Sequence, residues 1–308
     1  PFTYWSQDNF ENDLIIAPRE SSIYYWTLDT STWARAVTLQ SKADSITKVS
    51  TTATSGGAGT TITVTDPTDI DIGAVVAGTN VSAGTYVTDI AGSVVTLSAA
   101  TSGAASGTYT FSYAGRFVPN KTLFITASDT SHFTMAFGAN PYDPTNATTD
   151  FDPLLVRWSD QEDPFQWVPA VTNQAGEQHL SNGSYLVTAR DTRQEILVWT
   201  DSALFSMQYI GPPYVWNFGL LNDNISITSQ NAAITVNNIT YWMGVDKFYV
   251  YNGRVETLPC TLRQFVFSNI NKNALSQIVC GTNEGYNEIW WFYPSQNSSV
   301  NDTYIIYN

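Results

Sequence analysis

The feature that most constrains the fold of this chain is a repeated pair of short apolar segments joined by a polar turn. In each pair the second segment contains aromatic residues. The pairs are 14–17 with 23–26, 196–199 with 204–207, 241–244 with 248–251, and 289–292 with 304–307. Short apolar runs bounded by turn residues are typical of antiparallel strands. The pattern therefore predicts a series of β-hairpins.

The spacing of these pairs predicts a repeated architecture. Leu197 and Trp242 are 45 residues apart, and Trp242 and Trp290 are 48 apart. Leu14 and Leu123 are also 45 apart once a 64-residue segment of different composition is left out. A period of this size with four short strands is typical of β-propeller blades, which bury their faces by stacking. We expect about five blades, and further blades or neighbouring subunits complete the ring.

One step in this series is too long. The interval from Leu123 to Leu197 is 74 residues. It indicates either additional chain between two blades or a strand that the pattern assigns wrongly.

The segment 49–112 differs in composition from the rest of the chain. It consists almost wholly of Thr, Ser, Gly, Ala, Val, Ile and Asp, and contains no Trp, Lys or Arg. Strand patterns within it cover 60–65, 86–90, 94–98 and 108–111, and residues 91–93 form a hairpin turn. We interpret 49–112 as an inserted small β-sandwich or barrel domain, and 1–48 with 113–308 as a propeller-like platform.

Composition agrees with an all-β fold. Charged residues make up 13% of the chain and aromatic residues 14%. Long exposed helices would need more charged residues and alanine than this. The best helix candidate is 258–280, where Leu262, Phe265 and Val266 share one helical face and predict one or two short helices.

The charge of the chain excludes one class of function. Its net charge is −14, from 13 basic and 27 acidic residues. Such a surface repels nucleic-acid phosphate, so specific DNA binding is not expected. A conduit through which DNA passes without adhering remains compatible with it.

The hydropathy of the chain and its two ends indicate whether it carries a membrane-spanning segment or a signal peptide and whether it is part of a longer polypeptide. No run of about 18 apolar residues is present, so no membrane-spanning segment is expected, and no signal peptide is recognisable. The chain begins with Pro1 and ends in the strand-like run 304–307. We therefore interpret it as an excerpt of a longer polypeptide.

Residues capable of catalysis or metal binding are sparse. His132 and His179 have no second ligand at metal-binding spacing, and Cys260 and Cys280 match no zinc or redox motif. We interpret the two cysteines as small buried apolar residues, although a pairing between them stays open. No catalytic, cofactor-binding or metal-ligating residues are predicted, and the chain is not expected to be an enzyme.

Glycoside hydrolysis is the one enzymatic alternative with a sequence feature behind it. The run 159–167 is similar to a sialidase Asp-box, but no Gly follows its Asp and it occurs once. We interpret it as a polar turn that buries Trp158 and Trp167. A glycosidase would instead require two positioned carboxylates in a cleft.

Two further turns have both a structural and a functional reading. The acidic group Asp66, Asp69 and Asp71 is too short a series for a calcium loop, and a solvated turn is expected. The run 211–214, Gly-Pro-Pro-Tyr, predicts a rigid turn at a strand exit, with peptide binding as the alternative.

Several of these runs resemble a known family. They are 155–164, 192–201 with its continuation to 213, 241–254, and 258–260. The chain over 1–40 and about 115–308 resembles the tail nozzle or hub proteins, at the tail-tube tip, of short-tailed bacteriophages. The segment 49–112 separately resembles small β modules of phage virion proteins.

The resemblance implies a structural role without catalytic residues. It implies a virion protein, assembled in the host bacterial cytoplasm, that forms a ring of copies, typically a hexamer. Its partners would be the tail adaptor and portal complex and the tail fibres, and the genome would leave through the ring. The alternative function is a receptor- or glycan-binding virion surface protein, whose loop Trp and Tyr residues stack on sugars.

Overall fold

The chain is nearly all-β, with 46% of its residues in strands and 7% in helices. The computed structural model describes residues 4–28 and 31–308. The chain divides into two compact units, Pro1–His179 and Leu180–Asn308, which we call the N-terminal and the C-terminal unit.

The N-terminal unit contains two four-stranded antiparallel sheets and one six-stranded sheet. The first sheet consists of β1 (Trp5–Phe10), β2 (Asp13–Pro18), β3 (Tyr24–Trp26) and β4 (Val37–Thr38). The six-stranded sheet consists of β5 (Thr47–Thr54), β6 (Thr61–Val64), β7 (Val76–Ala77), β8 (Val87–Ala91), β9 (Val94–Leu97) and β10 (Ser106–Ser112). The third sheet consists of β11 (Thr122–Ala127), β12 (Thr134–Ala139), β13 (Asp152–Trp158) and β14 (Gly176–His179).

The C-terminal unit contains three further antiparallel sheets, in which strands that are consecutive in sequence lie side by side. The fourth sheet consists of β15 (Leu186–Asp191), β16 (Ile196–Thr200), β17 (Leu204–Gly211) and β18 (Val215–Asn222). The fifth consists of β19 (Ala233–Val236), β20 (Ile239–Met243), β21 (Phe248–Tyr251) and β22 (Val255–Leu258). The sixth consists of β23 (Val279–Asn283), β24 (Glu288–Tyr293) and β25 (Thr303–Tyr307).

Helices are few and short. The α-helices are α1 (Leu39–Ser45) and α2 (Arg263–Ser268), and 3-10 turns cover Gly115–Phe117, Leu275–Gln277 and Glu284–Tyr286. In the part of the chain that the structure describes, no helix has the length and apolar character needed to cross a bilayer. The helices predicted within 258–280 are confirmed as α2 and the turn at Leu275–Gln277. Helix α1 was not predicted from the sequence. At its start the Thr38 hydroxyl accepts a hydrogen bond from the Ser41 amide at 3.2 Å and caps the helix.

All four predicted hairpins are confirmed as antiparallel pairs: β2 with β3, β16 with β17, β20 with β21, and β24 with β25. The long step in the repeat is explained in part by a wrongly assigned strand. Leu123 lies in β11, the first strand of its sheet, whereas Leu14, Leu197, Trp242 and Trp290 lie in second strands.

The segment 49–112 belongs to a single six-stranded sheet with strand order β7-β10-β5-β6-β9-β8. It is neither the two-sheet sandwich nor the closed barrel predicted from the sequence. The two edges of the sheet meet through a bridge between Val75 and Tyr86, and the amides of Gly73 and Val76 donate to the carbonyls of Val87 and Thr85, both at 2.8 Å. The predicted hairpin of β8 and β9 is confirmed.

This sheet has a hydrophobic core of its own, which includes Ile62, Val95, Tyr109 and Phe111. In sequence it separates the first sheet from the third, although β1 and β2 contact β11. The domain limits 1–48 with 113–308 and 49–112 stay a prediction.

Candidate binding groove

Two adjoining grooves lie at the strand turns of the C-terminal unit. The larger has a volume of about 460 Å³ and is lined by the turn between β19 and β20 together with the turn between β23 and β24. The smaller, about 250 Å³, is lined by that same first turn, the turn between β15 and β16, and the turn after β21. Asn237 and Ile239 line both. Three successive sheets therefore contribute turns to one surface.

A tight turn of two asparagines stands between the grooves. Val236 pairs with Ile239, which leaves Asn237 and Asn238 as the two loop residues of the hairpin. Both have positive φ, 51° and 65°, as a type I′ turn requires, and asparagine tolerates this conformation better than most residues. The Asn238 side-chain oxygen also accepts a hydrogen bond from the Arg193 amide at 2.8 Å. This bond fixes the turn to the neighbouring sheet.

The larger groove combines aromatic rings with amide and hydroxyl groups. Its lining residues are Thr235, Val236, Asn237, Ile239, Tyr241, Thr282, Asn283, Glu284, Asn287, Glu288, Ile289 and Tyr307. The rings of Tyr241 and Tyr307 pack with their centroids 5.7 Å apart. Burial raises the pKa of Tyr241, so its hydroxyl is a neutral donor and acceptor at physiological pH.

The Glu288 carboxylate in this groove is held in place by its neighbours. It accepts hydrogen bonds from the Trp290 indole nitrogen at 3.1 Å and from the Asn283 amide at 3.3 Å. Asn287, with φ of 56°, ends the 3-10 turn that precedes β24. Glu284 lines the groove from the same turn.

The smaller groove is organised around Glu195. Its carboxylate accepts hydrogen bonds from the hydroxyls of Tyr251 and Ser206, and from the Gln208 amide at 3.1 Å. Burial, followed by the hydrogen bond to Glu195, raises the pKa of Tyr251. Glu195 therefore holds three side chains in place, and its carboxylate has few remaining positions at which to accept a hydrogen bond from a ligand.

No Lys, Arg or His lines either groove among the residues that the structure describes. A phosphate or carboxylate ligand would find no countercharge there. Amides, hydroxyls and aromatic faces instead match a neutral ligand with many hydroxyl groups.

The structure does not bring the two histidines together with a nucleophile or a metal cluster. His179 lies 3.4 Å from the Asp152 carboxylate, and His132 occupies a turn with φ of 56°. Within residues 4–28 and 31–308 no group of three or more His, Cys, Asp or Glu side chains has metal-binding geometry.

The cysteines are two free thiols, so the pairing left open by the sequence does not form. Both are partly exposed, which differs from the full burial expected from the sequence. Burial raises the pKa of Cys280 to about 12, so that thiol stays protonated and is a weak nucleophile.

The Asp-box-like run forms the polar turn that the sequence predicts. Asp160 and Asp163 bridge across it, and Trp158 and Trp167 are both buried. The acidic group in 66–71 is only in part a solvated turn. Asp71 is buried and pairs with Lys48 at 2.6 Å, because the β5 lysine reaches it from the same sheet.

A scan against protein-family models matches no family, and a search of curated proteins finds none with significant similarity.

None of the groove residues was predicted from the sequence to form a site. The one sequence feature that marks the groove is the pair Asn237-Asn238 between the segments that form β19 and β20. This pair predicts a tight hairpin turn but no ligand. The grooves arise because turns distant in sequence meet, and a single chain without an alignment does not reveal that.

Proposed function

We propose that this chain is a structural subunit of a bacteriophage tail, one of several copies in a ring that forms the nozzle or hub. In this proposal 1–48 and 113–308 are a β-propeller-like platform, and 49–112 is an inserted knob. The ring, of six copies, joins the adaptor and portal complex, carries the tail fibres, and lets DNA pass without specific binding. The protein functions in the virion and is no enzyme.

The observation that carries the proposal is a protruding hairpin, residues 208–217, which we call the arm. β16 pairs with β17 only from Leu204 to Met207, so the remainder of β17 pairs with β18 alone. Two large apolar side chains near its tip are exposed: Ile210 at 55% and Tyr214 at 77%. Apolar residues on a projecting hairpin suit the closed, permanent contacts of a ring of identical subunits.

Charge supports a conduit over a nucleic-acid-binding protein. The net charge of −14 repels phosphate, and a DNA channel works best when its wall does not adhere.

The test is the mass of the chain in solution, by size-exclusion chromatography with light scattering, followed by negative-stain imaging. We expect a closed ring with an axial hole. The double variant Ile210→Ser with Tyr214→Ser should shift the mass toward the monomer, whereas Asn224→Ser, at an exposed polar position, should leave it unchanged. A parent chain that stays monomeric at every concentration would contradict the proposal.

The grooves favour a second candidate, a glycan-binding virion surface protein. Aromatic rings beside amides and hydroxyls, without a cation, suit the apolar faces and hydroxyl edges of a neutral sugar. The arm favours the ring, whereas the grooves favour this alternative.

Calorimetric titration with fragments of bacterial surface polysaccharides separates the two. If the groove binds glycans, Tyr307→Ser should weaken binding at least tenfold. Tyr185→Ser, which alters a similarly exposed tyrosine outside the groove, should not. Absence of binding by the parent, or equal loss in both variants, excludes the glycan-binding candidate.

A further inference from the structure

A lysine and an aspartate are buried in contact with each other beside the six-stranded sheet. The described part of the chain contains two lysine–carboxylate pairs. Lys48 Nζ lies 2.6 Å from Asp71 Oδ2, and the two side chains are 17% and 9% exposed. Lys121 and Glu20 are 3.8 Å apart, and their side chains are 38% and 61% exposed. The first pair alone brings an amine and a carboxyl group together where little water reaches them.

The backbone fixes both partners of this pair. The register of β5 against β10 shifts at one end of the ladder, which makes Lys48 the extra residue of a β-bulge. A bulge redirects a side chain from the regular alternation of its strand. Asp71 follows Ile70, which is buried in the core of the same sheet, and the Asp71 carbonyl accepts a hydrogen bond from the Ala74 amide at 3.2 Å. The two side chains therefore extend from backbone positions that the sheet and its core hold in place.

Gln166 orients the amine. Its side-chain oxygen accepts a hydrogen bond from Lys48 Nζ at 3.1 Å, and its side-chain nitrogen donates to the Val168 carbonyl at 3.2 Å. Gln166 is itself buried, so it has little freedom to move. The Lys48 amine is thus held against the Asp71 carboxyl by a third side chain.

The surroundings favour the uncharged form of the carboxyl. Burial raises the pKa of Asp71, although Lys48 and Gln166 oppose the shift. Burial also raises the pKa of Asp163, and the nearby Lys48 partly opposes that shift. Where charges are poorly solvated, transfer of a proton from the ammonium to the carboxylate becomes less costly. A neutral amine beside a neutral carboxylic acid is the reactant pair for amide formation.

We propose that Lys48 and Asp71 join in an intramolecular amide bond, an isopeptide crosslink, once the chain has folded. A bond forms between Lys48 Nζ and Asp71 Cγ, and the bond from Cγ to one carboxyl oxygen breaks. Of the three ammonium protons, one stays on the amide nitrogen and two leave with the oxygen as water. Atoms and charge therefore balance without a further reactant.

Two physical effects favour this step. The product replaces two buried charges by a neutral amide, which removes the desolvation cost of a buried ion pair. Reacting groups held in contact also have effective concentrations of roughly 10⁵–10⁸ M, which offsets the low reactivity of a carboxylic acid toward an amine. The crosslink would tie β5 to the segment between β6 and β7. This inference does not depend on the phage-tail proposal.

Intact-mass spectrometry of the denatured chain tests the proposal. We expect the parent to be lighter than its sequence by the mass of one water molecule. Lys48→Arg keeps the cation but has no primary amine, so it should have the full mass of its sequence. Lys121→Arg alters the exposed lysine pair and should keep the deficit of the parent.

Peptic digestion followed by tandem mass spectrometry locates the bond. We expect a branched peptide in which the segment with Lys48 is joined to the segment with Asp71. A parent that has the full mass of its sequence overturns the proposal, because the two residues then form an ion pair only. A water deficit that persists in Lys48→Arg also overturns it. So does loss of ammonia in place of water, which would indicate a bond from Lys48 to Gln166.

Discussion

The two units of this chain bury different kinds of groups. The N-terminal unit has 18 acidic and 7 basic residues, a net charge of −11, whereas the C-terminal unit has 9 and 6, a net charge of −3. The N-terminal interior includes the Lys48–Asp71 pair and the guanidinium of Arg157. Three tryptophans are fully buried in the C-terminal unit, Trp199, Trp242 and Trp291, against one in the N-terminal unit, Trp167. The N-terminal unit therefore buries more charged side chains than the C-terminal unit.

A buried or partly buried arginine nevertheless serves both units in the same way. Arg157 donates to the carbonyls of Asn140, Phe117 and Trp167 at 2.8–3.2 Å. Arg190 donates to the carbonyls of Ala233, Ala189 and Gln230 at 2.7–2.9 Å, which ties β15 to the fifth sheet. Each guanidinium satisfies backbone acceptors that strand pairing leaves free. The C-terminal unit therefore concentrates the fully buried tryptophans, whereas carboxyl groups with burial-raised pKa values, among them Asp44 and Asp71, make the N-terminal unit sensitive to pH.

The largest effect is expected at the centre of the aromatic core. Trp242 packs against Trp199 and Tyr249 with ring centroids 5.3 and 5.1 Å away. Trp242→Ala should lower the free energy of unfolding by about 4 kcal/mol, since it removes a large side chain and leaves a cavity. Urea unfolding followed by circular dichroism measures this loss. Trp33→Ala, at an exposed tryptophan, is the control, with an expected change of about 0.5 kcal/mol or less.

Next in size is the loss of the Arg157 guanidinium. Arg157→Met should lower the free energy of unfolding by about 3 kcal/mol. The variant leaves three backbone carbonyls without a hydrogen-bond donor and leaves Glu177, 3.5 Å away, without its cation. Arg190→Met should lower the free energy of unfolding by about 2 kcal/mol. The loss is smaller because, among the described residues, no carboxylate lies within ion-pairing distance of Arg190. Equal losses in the two variants would show that the ion pair with Glu177 contributes nothing beyond the carbonyl bonds.

The smallest effect concerns Asp44, near the α1 C-terminus. Burial raises the pKa of Asp44 to about 6, although the Gly115 amide and Arg116 oppose the shift. The folded state then binds more protons than the unfolded state between about pH 4 and 6, so stability falls as pH rises through that window. Asp44→Asn keeps an acceptor for Gly115 and should stabilise the protein by about 1 kcal/mol at pH 7, allowing for partial exposure.

Unfolding measurements at pH 4 and pH 7 test this last expectation. At pH 4 the parent and Asp44→Asn should be nearly equal in stability, because the carboxyl is protonated in the folded parent. Exposed Asp223→Asn should change stability little at either pH. A stabilisation by Asp44→Asn that is as large at pH 4 as at pH 7 would rule out ionisation as its cause.

The sequence predicted the hairpins well because strand pattern and turn chemistry are local properties. Residues 241–244 and 248–251 are apolar segments on either side of a polar turn. They can be recognised as a hairpin without knowledge of any residue distant in sequence. The burial of Arg157 was not predicted, because its three acceptors come from separate parts of the chain. The grooves escaped prediction for the same reason, since Asn237 and Glu288 are brought together only by the stacking of sheets.

The six-stranded sheet has a feature with a practical consequence. Its first and last strands are neighbours, and Ser112 pairs directly with Thr47. The polypeptide therefore enters and leaves this sheet at almost the same point in space. A cassette of any length whose own ends lie close together fits that junction. Exchange of residues 49–112 for another module should keep the path of the remaining chain, provided that the new module supplies an acidic partner for Lys48 in place of Asp71.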